Sequence, residues 1–193
     1  MGVIKTALEI ALEKTESVKS DKSGIYQFEI KQKGKKLAND FLEKGEVNLP
    51  LEIKKTPDEY KLSLKQGIFD ILVTQITLPE DIEAQKRLER AGKGLSDVIG
   101  KSEFNAMFKQ LLQLTGQYLQ EIAHYDQAIK QQYAPKLRQK EEELSRRMGR
   151  EVHIDPMQDP EFAAFYNQNI NALKDNYVGI IEQAKSETKR MFE

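Results

Sequence analysis

The sequence predicts an all-α protein, built as an elongated helical bundle with a long C-terminal antiparallel helical hairpin. Three observations support this prediction. About a third of the 193 residues are charged, and Glu, Lys, Gln and Leu are plentiful, which is typical of helices with solvated faces. Apolar residues recur at steps of three and four through most of the chain. Near the C-terminus, two such patterns each continue for about thirty residues or more. We expect N-terminal helices in residues 1–100 to pack on a hairpin formed by residues 101–193, as one continuous unit.

The first predicted helix spans about residues 3–18, and the stretch "SDKSG" is expected to end it. The next segment is ambiguous, because the alternation in "GIYQFEIKQ" would also suit a strand over residues 24–32. Downstream, "KKLANDFLEKG" has a helical apolar face and stops at Gly45. We therefore favour one helix over about 21–44, with Gly34 as its weak point.

The middle of the chain contains two helix-start signals. "EVNLPLEIKK" is expected to be a connector, because Pro50 disfavours a helical conformation at the residue before it. In "TPDEY", Thr56 is the predicted cap of a helix that continues through "GIFDILVTQITL". In "TLPED", Thr77 is the predicted cap of a helix over about 79–91, which should stop at "AGKG". "LSDVIGKSEF" would then be a short link, with Ser102 as the next cap.

Two long amphipathic helices are predicted to form the hairpin. The first continues from Ser102 to about Met148, although Pro135 is expected to kink or break it. The second covers about residues 160–191. Their apolar positions approximate the heptad seam of a coiled coil. The seam comprises Phe104, Phe108, Leu111, Thr115, Tyr118, Ile122, Tyr125, Ile129, Tyr133 and Leu137 in the first helix, and Phe162, Tyr166, Ile170, Leu173, Tyr177, Ile180, Ala184 and Met191 in the second.

The connection "GREVHIDPMQDPEF" is rich in polar residues, and most of them have a structural explanation. Gly149 suits a helix stop, Asp155 can start a turn, and Asp159 followed by proline suits a helix start. The stretch "EVHI" alternates more than a plain turn requires. We expect its valine and isoleucine to pack on the hairpin end while the histidine points outward. The candidate interaction residues are Glu151, Val152, His153 and Ile154.

Metal and catalytic chemistry have weak support. The chain has no cysteine and two histidines, which excludes thiolate sites and cysteine nucleophiles. Glu121 and His124 have the Glu-x-x-His spacing of di-iron bundles, but Arg150 occupies the position that a second pair, ending at His153, would need. His153 with Asp155, Asp159 or Glu161 is the other weak metal candidate. We therefore predict no catalytic residue, cofactor or resident metal.

Two basic clusters suggest a different function, the binding of nucleic acid or an anionic surface. Acidic residues interleave with the second cluster, and the whole chain has a net charge of only −1, so solvated helix faces are the plainer interpretation. The clusters consist of Lys31, Lys33, Lys35 and Lys36, and of Arg138, Lys140, Arg146, Arg147 and Arg150.

The leading hypothesis is a non-enzymatic interaction or scaffold protein that self-associates through its seamed helices, as a homo-oligomer or with another protein. Nucleic-acid or anionic-surface binding is the alternative, and a metal-dependent enzyme centred on Glu121 and His124 is the third hypothesis. A cytoplasmic location is expected, because cysteine is absent, no apolar run is long enough to span a membrane, and the N-terminus lacks the uninterrupted apolar core of a signal peptide.

Overall fold

The computed structural model describes residues 7–45 and 47–193, with side chains from residue 24 onward. The described part of the chain is helical and contains no strand, which confirms the all-α prediction. Residues 3–6 of the first predicted helix lie outside it. The helices are α1 (Ala7–Lys44), α2 (Leu49–Lys55), α3 (Asp58–Leu72), α4 (Ile82–Ile99), α5 (Ser102–Met148) and α6 (Pro160–Phe192), with short 3-10 turns at Val73–Gln75 and Pro156–Gln158.

The described chain divides into two compact units. The first contains the described residues up to Gln75, residues 90–104 and the last three residues. The second contains residues 76–89 and 105–190, and therefore most of the two longest C-terminal helices.

Helix α1 is continuous, so the break predicted at "SDKSG" and the strand considered for residues 24–32 are both wrong. Serine and aspartate in a helix interior each cost a fraction of 1 kcal/mol, and a glycine costs about 1 kcal/mol. Such costs do not end a helix that packing stabilises elsewhere. Gly34 is likewise not a weak point, because it is buried against α3.

The backbones of α1 and α3 meet at two glycines. A Cβ atom on Gly67 would lie 2.0 Å from the carbonyl oxygen of Lys31, and one on Gly34 would lie 2.4 Å from the carbonyl oxygen of Leu64. Both distances are far shorter than a van der Waals contact, and the atoms approached belong to the main chain. The two helices therefore pack this closely only because neither has a side chain at the crossing.

The predicted connector "EVNLPLEIKK" is wrong over most of its length, since it forms α2. The Asn48 side chain caps this helix by accepting from the Leu51 amide (3.0 Å), and Pro50 lies in the first turn, where no amide hydrogen is needed. Thr56 does not cap α3 as predicted. It ends α2 instead, and its hydroxyl donates to the carbonyl oxygen of Glu52 (2.9 Å). The helix predicted through "GIFDILVTQITL" is confirmed as α3 only as far as Leu72. A 3-10 turn follows at Val73–Gln75, and residues 76–78 are not helical.

Helix α4 begins and ends later than predicted. Asp81, rather than Thr77, accepts a hydrogen bond from the Ala84 amide (2.7 Å) at its start. The helix continues through "AGKG", where Gly94 is buried in the first unit. It ends at Gly100, whose φ of +69° provides the left-handed conformation typical of a helix stop. The link before α5 is therefore two residues long, not ten.

Helices α5 and α6 form an antiparallel hairpin within the second unit. The ring of Tyr118 packs on Tyr177 (5.0 Å between centroids), and that of Tyr133 packs on Phe162 (5.1 Å), so the chain directions are opposed. Pro135 was expected to kink or break α5, and of these two outcomes the break does not occur, since the helix continues through this residue. Proline removes one backbone hydrogen bond, and the burial of neighbouring Tyr133 against α6 offsets that loss.

The contact face of the hairpin follows an 11-residue repeat more closely than a heptad. Phe162, Leu173 and Ala184 are buried at this interval in α6. The heptad assignment fails at Tyr125 and Ile180, which are exposed. An 11-residue repeat corresponds to about 3.67 residues per turn, close to the 3.6 of a straight helix, so the two helices need little supercoiling to keep these faces together.

Candidate functional site

The candidate site is the hairpin tip, which we define as residues 140–161. The predicted helix ends are confirmed here. Gly149 ends α5 with a φ of +65°, and the Asp155 side chain accepts from the Met157 amide (3.0 Å) to start the 3-10 turn. Asp159 caps α6 by accepting from the amides two and three residues later, at 2.9 and 3.2 Å.

The stretch "EVHI" is an extended segment attached to α5 through its backbone. The Val152 amide donates to the hydroxyl oxygen of Ser145 (2.9 Å), and the Ile154 amide donates to the Glu141 carboxylate (2.9 Å). Val152 and Ile154 are two residues apart, which is about 6.6 Å in extended chain. Their acceptors Ser145 and Glu141 are one helical turn apart, which is roughly 6 Å, so the two spacings match. This match explains the alternation in the sequence. Val152 and Ile154 are half-buried and His153 is exposed, as expected.

His153 lies beside the same carboxylate, with its Nδ1 atom 3.0 Å from Glu141 Oε1. Asp155, its proposed co-ligand, already accepts a backbone hydrogen bond at the start of the 3-10 turn. Among the residues that the structure describes, no three histidine, aspartate or glutamate side chains come together to hold a metal ion.

The other weak metal candidate lies away from the tip. The Glu121 carboxylate accepts a hydrogen bond from the Tyr177 hydroxyl (2.7 Å), and this bond raises the pKa of Tyr177 to about 12. His124 is exposed. Asp126 similarly accepts from the Tyr166 hydroxyl (2.9 Å). These carboxylates therefore serve as acceptors that join α5 to α6 through tyrosines.

A cluster of charges fixes the base of the tip. The Lys140 ammonium donates to the carboxylates of Asp159 (2.6 Å) and Glu161 (2.9 Å), and Lys136 pairs with Glu161 (2.8 Å). Hydrogen bonds from Lys136 and Lys140 lower the pKa of Glu161 to about 2. The hydrogen bond from Lys140 also lowers the pKa of Asp159. Because Lys140 lies opposite the start of α6, the cluster sets the register of the hairpin.

Helix α5 extends past this register point by the eight residues 141–148, about 12 Å. Its contact face continues along this overhang, since Leu144 and Met148 lie eleven residues beyond Tyr133 and Leu137. Helix α6 begins opposite Lys140, and its first residues, Pro160 and Glu161, line a cleft together with Leu144. Leu144 is 37% exposed and Met148 is 52% exposed.

Leu144 and Ile154 line a cleft of about 540 Å³ at the tip. Met157, 49% exposed, follows in the 3-10 turn, and the ion pair of Glu143 with Arg147 (2.6 Å) borders the cleft. Ile154 was among the predicted interaction residues, whereas sequence reasoning missed Leu144, Met148 and Met157. The signal in the sequence was that the apolar pattern of α5 continues to Leu144 and Met148, past the point where α6 begins opposite to it.

The two predicted basic clusters lie in different units, and several of their members are paired. Lys31 pairs with Asp70 (2.9 Å) in the first unit. In the second unit, Arg146 and Arg147 each lie one helical turn from a glutamate, at 3.9 Å and 2.6 Å. With Lys140 also paired, the positive charge available to an anionic partner is smaller than the sequence suggests. The members that are exposed and have no ion pair among those described are Lys33, Lys36, Arg138 and Arg150.

A family model of unknown function, DUF6657, matches residues 51–190, which include the whole hairpin tip. That range is more than half of the chain, and the chain therefore belongs to this family. No curated protein and no solved structure is similar enough to the chain to count as a match. Within the described residues, no helix has both the length and the apolar character needed to cross a bilayer.

Proposed function

We propose that this member of the DUF6657 family is a non-enzymatic interaction protein that binds other protein chains through its hairpin tip. The observation that carries this proposal is the exposed apolar surface of the tip. Leu144 lines an open cleft, and Met148 and Met157, two other residues of the tip, are about half exposed. Clustered apolar side chains in contact with water are unfavourable, and such clusters mark interaction sites when they are rimmed by polar residues. Methionine side chains also adapt readily to a partner surface.

The tip suits this role better than the seam from which self-association was first expected. Seam residues such as Tyr118, Ile129 and Phe162 are already buried between α5 and α6. A second chain could reach them only by separating the hairpin, which would also break the tyrosine–carboxylate hydrogen bonds. The overhang offers the same kind of apolar face without that cost.

Affinity capture with the full chain as bait tests the proposal. The double variant Leu144→Glu with Met148→Glu should lose specific partners, because it places two charges on the apolar face. Val178→Glu is the matched control, since Val178 is 45% exposed on α6 and lies outside the tip. Circular dichroism should show equal helix content in all three proteins. If the double variant captured the same partners as the original chain, the tip would not be the binding site.

The alternative function, binding of nucleic acid or an anionic surface, draws support from the exposed cations Lys33 and Lys36 on α1 and Arg138 and Arg150 in the second unit. Such binding should weaken steeply as salt is raised. Reversal of these four charges should abolish binding of a labelled oligonucleotide or of anionic vesicles at low salt. A flat titration of the original chain under those conditions would eliminate this alternative.

A further inference from the structure

We propose that the chain that docks on the hairpin tip is a second copy of this protein, related by a two-fold axis. This inference rests on the proposed function, because it assigns the partner of the same surface. In the proposed arrangement, the α5 overhangs of the two copies lie antiparallel. Each overhang occupies the place that α6 would hold if the hairpin were longer.

Apolar residues one helical turn apart supply the centre of this contact. In a two-fold interface, residue i of one copy meets residue j of the other, and the reverse contact also forms. With the axis near residues 145–146, Leu144 of each copy lies against Met148 of the other. The cleft beside Leu144 and Ile154, about 540 Å³, has room for the flexible methionine side chain.

Charge complementarity identifies the partner. Glu143 and Arg147 border the cleft one helical turn apart, and both are mostly exposed. The charged pair is centred on residue 145, and the pair Leu144 and Met148 is centred on residue 146. One two-fold axis therefore also places Glu143 of each copy opposite Arg147 of the other. Because Glu143 and Arg147 pair with each other, this part of the surface carries no net charge to attract a nucleic acid or a strongly basic protein. A surface with the same two charges in reverse order fits both residues, and a second copy has that surface.

The dimer should be weak, because few side chains take part. Stable interfaces bury about 1,600 Å² in total, and transient ones bury less than about 1,200 Å². The apolar contacts of a few residues per copy place this interface in the transient class. We expect a dissociation constant on the order of 100 μM, so association should become visible only at high protein concentration.

Sedimentation velocity of the full chain, from about 10 μM to about 1 mM, tests this arrangement through a charge exchange. Glu143→Lys alone places a lysine against Arg147 of the other copy, and Arg147→Glu alone places two glutamates together. Each single variant should therefore self-associate at least about tenfold more weakly than the original chain. An equimolar mixture of the two should recover association, because every opposed pair then has opposite charges.

Matched controls come from the opposite face of the same helix. Glu142→Lys and Arg146→Glu change an ion pair of the same spacing that does not border the cleft, and both should associate like the original chain. Leu144→Asp should abolish association alone and in every mixture. Circular dichroism verifies that each variant is folded.

The outcomes separate this inference from the proposed function. A monomer at all concentrations, or a mixture that fails to recover association, overturns the two-fold tip contact. Tip-dependent capture of other proteins would still support the proposed function in that case. Conversely, charge-dependent dimers with no tip-dependent capture from cells would support the contact between copies and contradict binding to other proteins.

Discussion

Replacing Gly67 with alanine should destabilise the first unit, although alanine is the better helix former. The new methyl group would lie 2.0 Å from the carbonyl oxygen of Lys31 and 2.9 Å from its carbonyl carbon. Both atoms belong to the α1 backbone, so no side-chain rotation can relieve the overlap. A normal contact would require α1 and α3 to separate by about 1 Å, and protein interiors are packed too densely to absorb such a shift without loss.

The expected magnitude follows from two opposing effects. Overpacking a well-filled contact typically costs about 1–3 kcal/mol, and the rigid main chain on both sides places Gly67 at the upper end of that range. Alanine recovers about 1 kcal/mol of helix propensity relative to glycine. The net loss in the free energy of unfolding is therefore about 2 kcal/mol. For a chain of this size, a loss of that magnitude lowers the melting temperature by about 4–8 °C.

Thermal and urea unfolding followed by circular dichroism provide the measurement. Gly24→Ala is the matched control, because Gly24 lies in α1, belongs to the same unit, and has no atom within 4 Å of a new Cβ. That variant should gain up to about 1 kcal/mol from helix propensity alone. The result that would refute the close crossing is a Gly67→Ala protein stabilised as much as Gly24→Ala. Gly34→Ala, at 2.4 Å from a carbonyl oxygen of α3, should repeat the loss.

Three further predictions concern the hairpin. Asp159→Ala removes the α6 cap and one partner of Lys140, so urea unfolding should show a loss of about 1–2 kcal/mol, whereas Asp159→Asn should retain the cap and lose less. The pKa of Glu161 is lowered from 4.5 to about 2, so the stabilisation from its ion pairs is present above pH 4.5 and is lost as pH falls toward 2. Glu161→Gln should flatten the dependence of the free energy of unfolding on pH in this range. An unchanged slope would contradict the ion pairs of Glu161 as its cause. The pKa of Tyr177 is raised to about 12, so the stabilisation from its hydrogen bond to Glu121 is complete below pH 10 and is lost as pH rises toward 12. In an ultraviolet titration, Tyr177→Phe should lack one tyrosine that ionises late in the original chain.

The sequence predicted helix content better than helix boundaries, and capping residues show why. Thr56 was assigned to the start of α3, yet its hydroxyl bonds to the preceding turn and ends α2. Thr77 satisfied a capping pattern, but Asp81 provides the cap. Several short polar side chains near a helix start can serve as caps, and tertiary packing decides which one does. Pro135 illustrates the same limit, since burial on either side maintains a helix that the local rule would break.

Glycine was ambiguous for a related reason. Gly149 was identified as a stop from its position after a basic last turn, and its positive φ agrees. Gly34 looked like a weak point in α1 because sequence alone does not reveal that another glycine, Gly67, stands against it. The same residue type ends a helix or permits a close crossing, and only the residues opposite distinguish the two roles.

At the hairpin tip, helix ends could be predicted from local residues, whereas the exposed apolar face depended on the hairpin register. The pattern in α5 gives no indication of where α6 begins opposite to it. Once Lys140 is fixed to Asp159, the α5 residues beyond it extend past the start of α6, and Leu144 and Met148 stay partly exposed. The segment "EVHI" reaches one side of this overhang through the Val152 and Ile154 amides and leaves the other side open. A hairpin with helices of unequal length therefore exposes part of the same apolar repeat that holds it together.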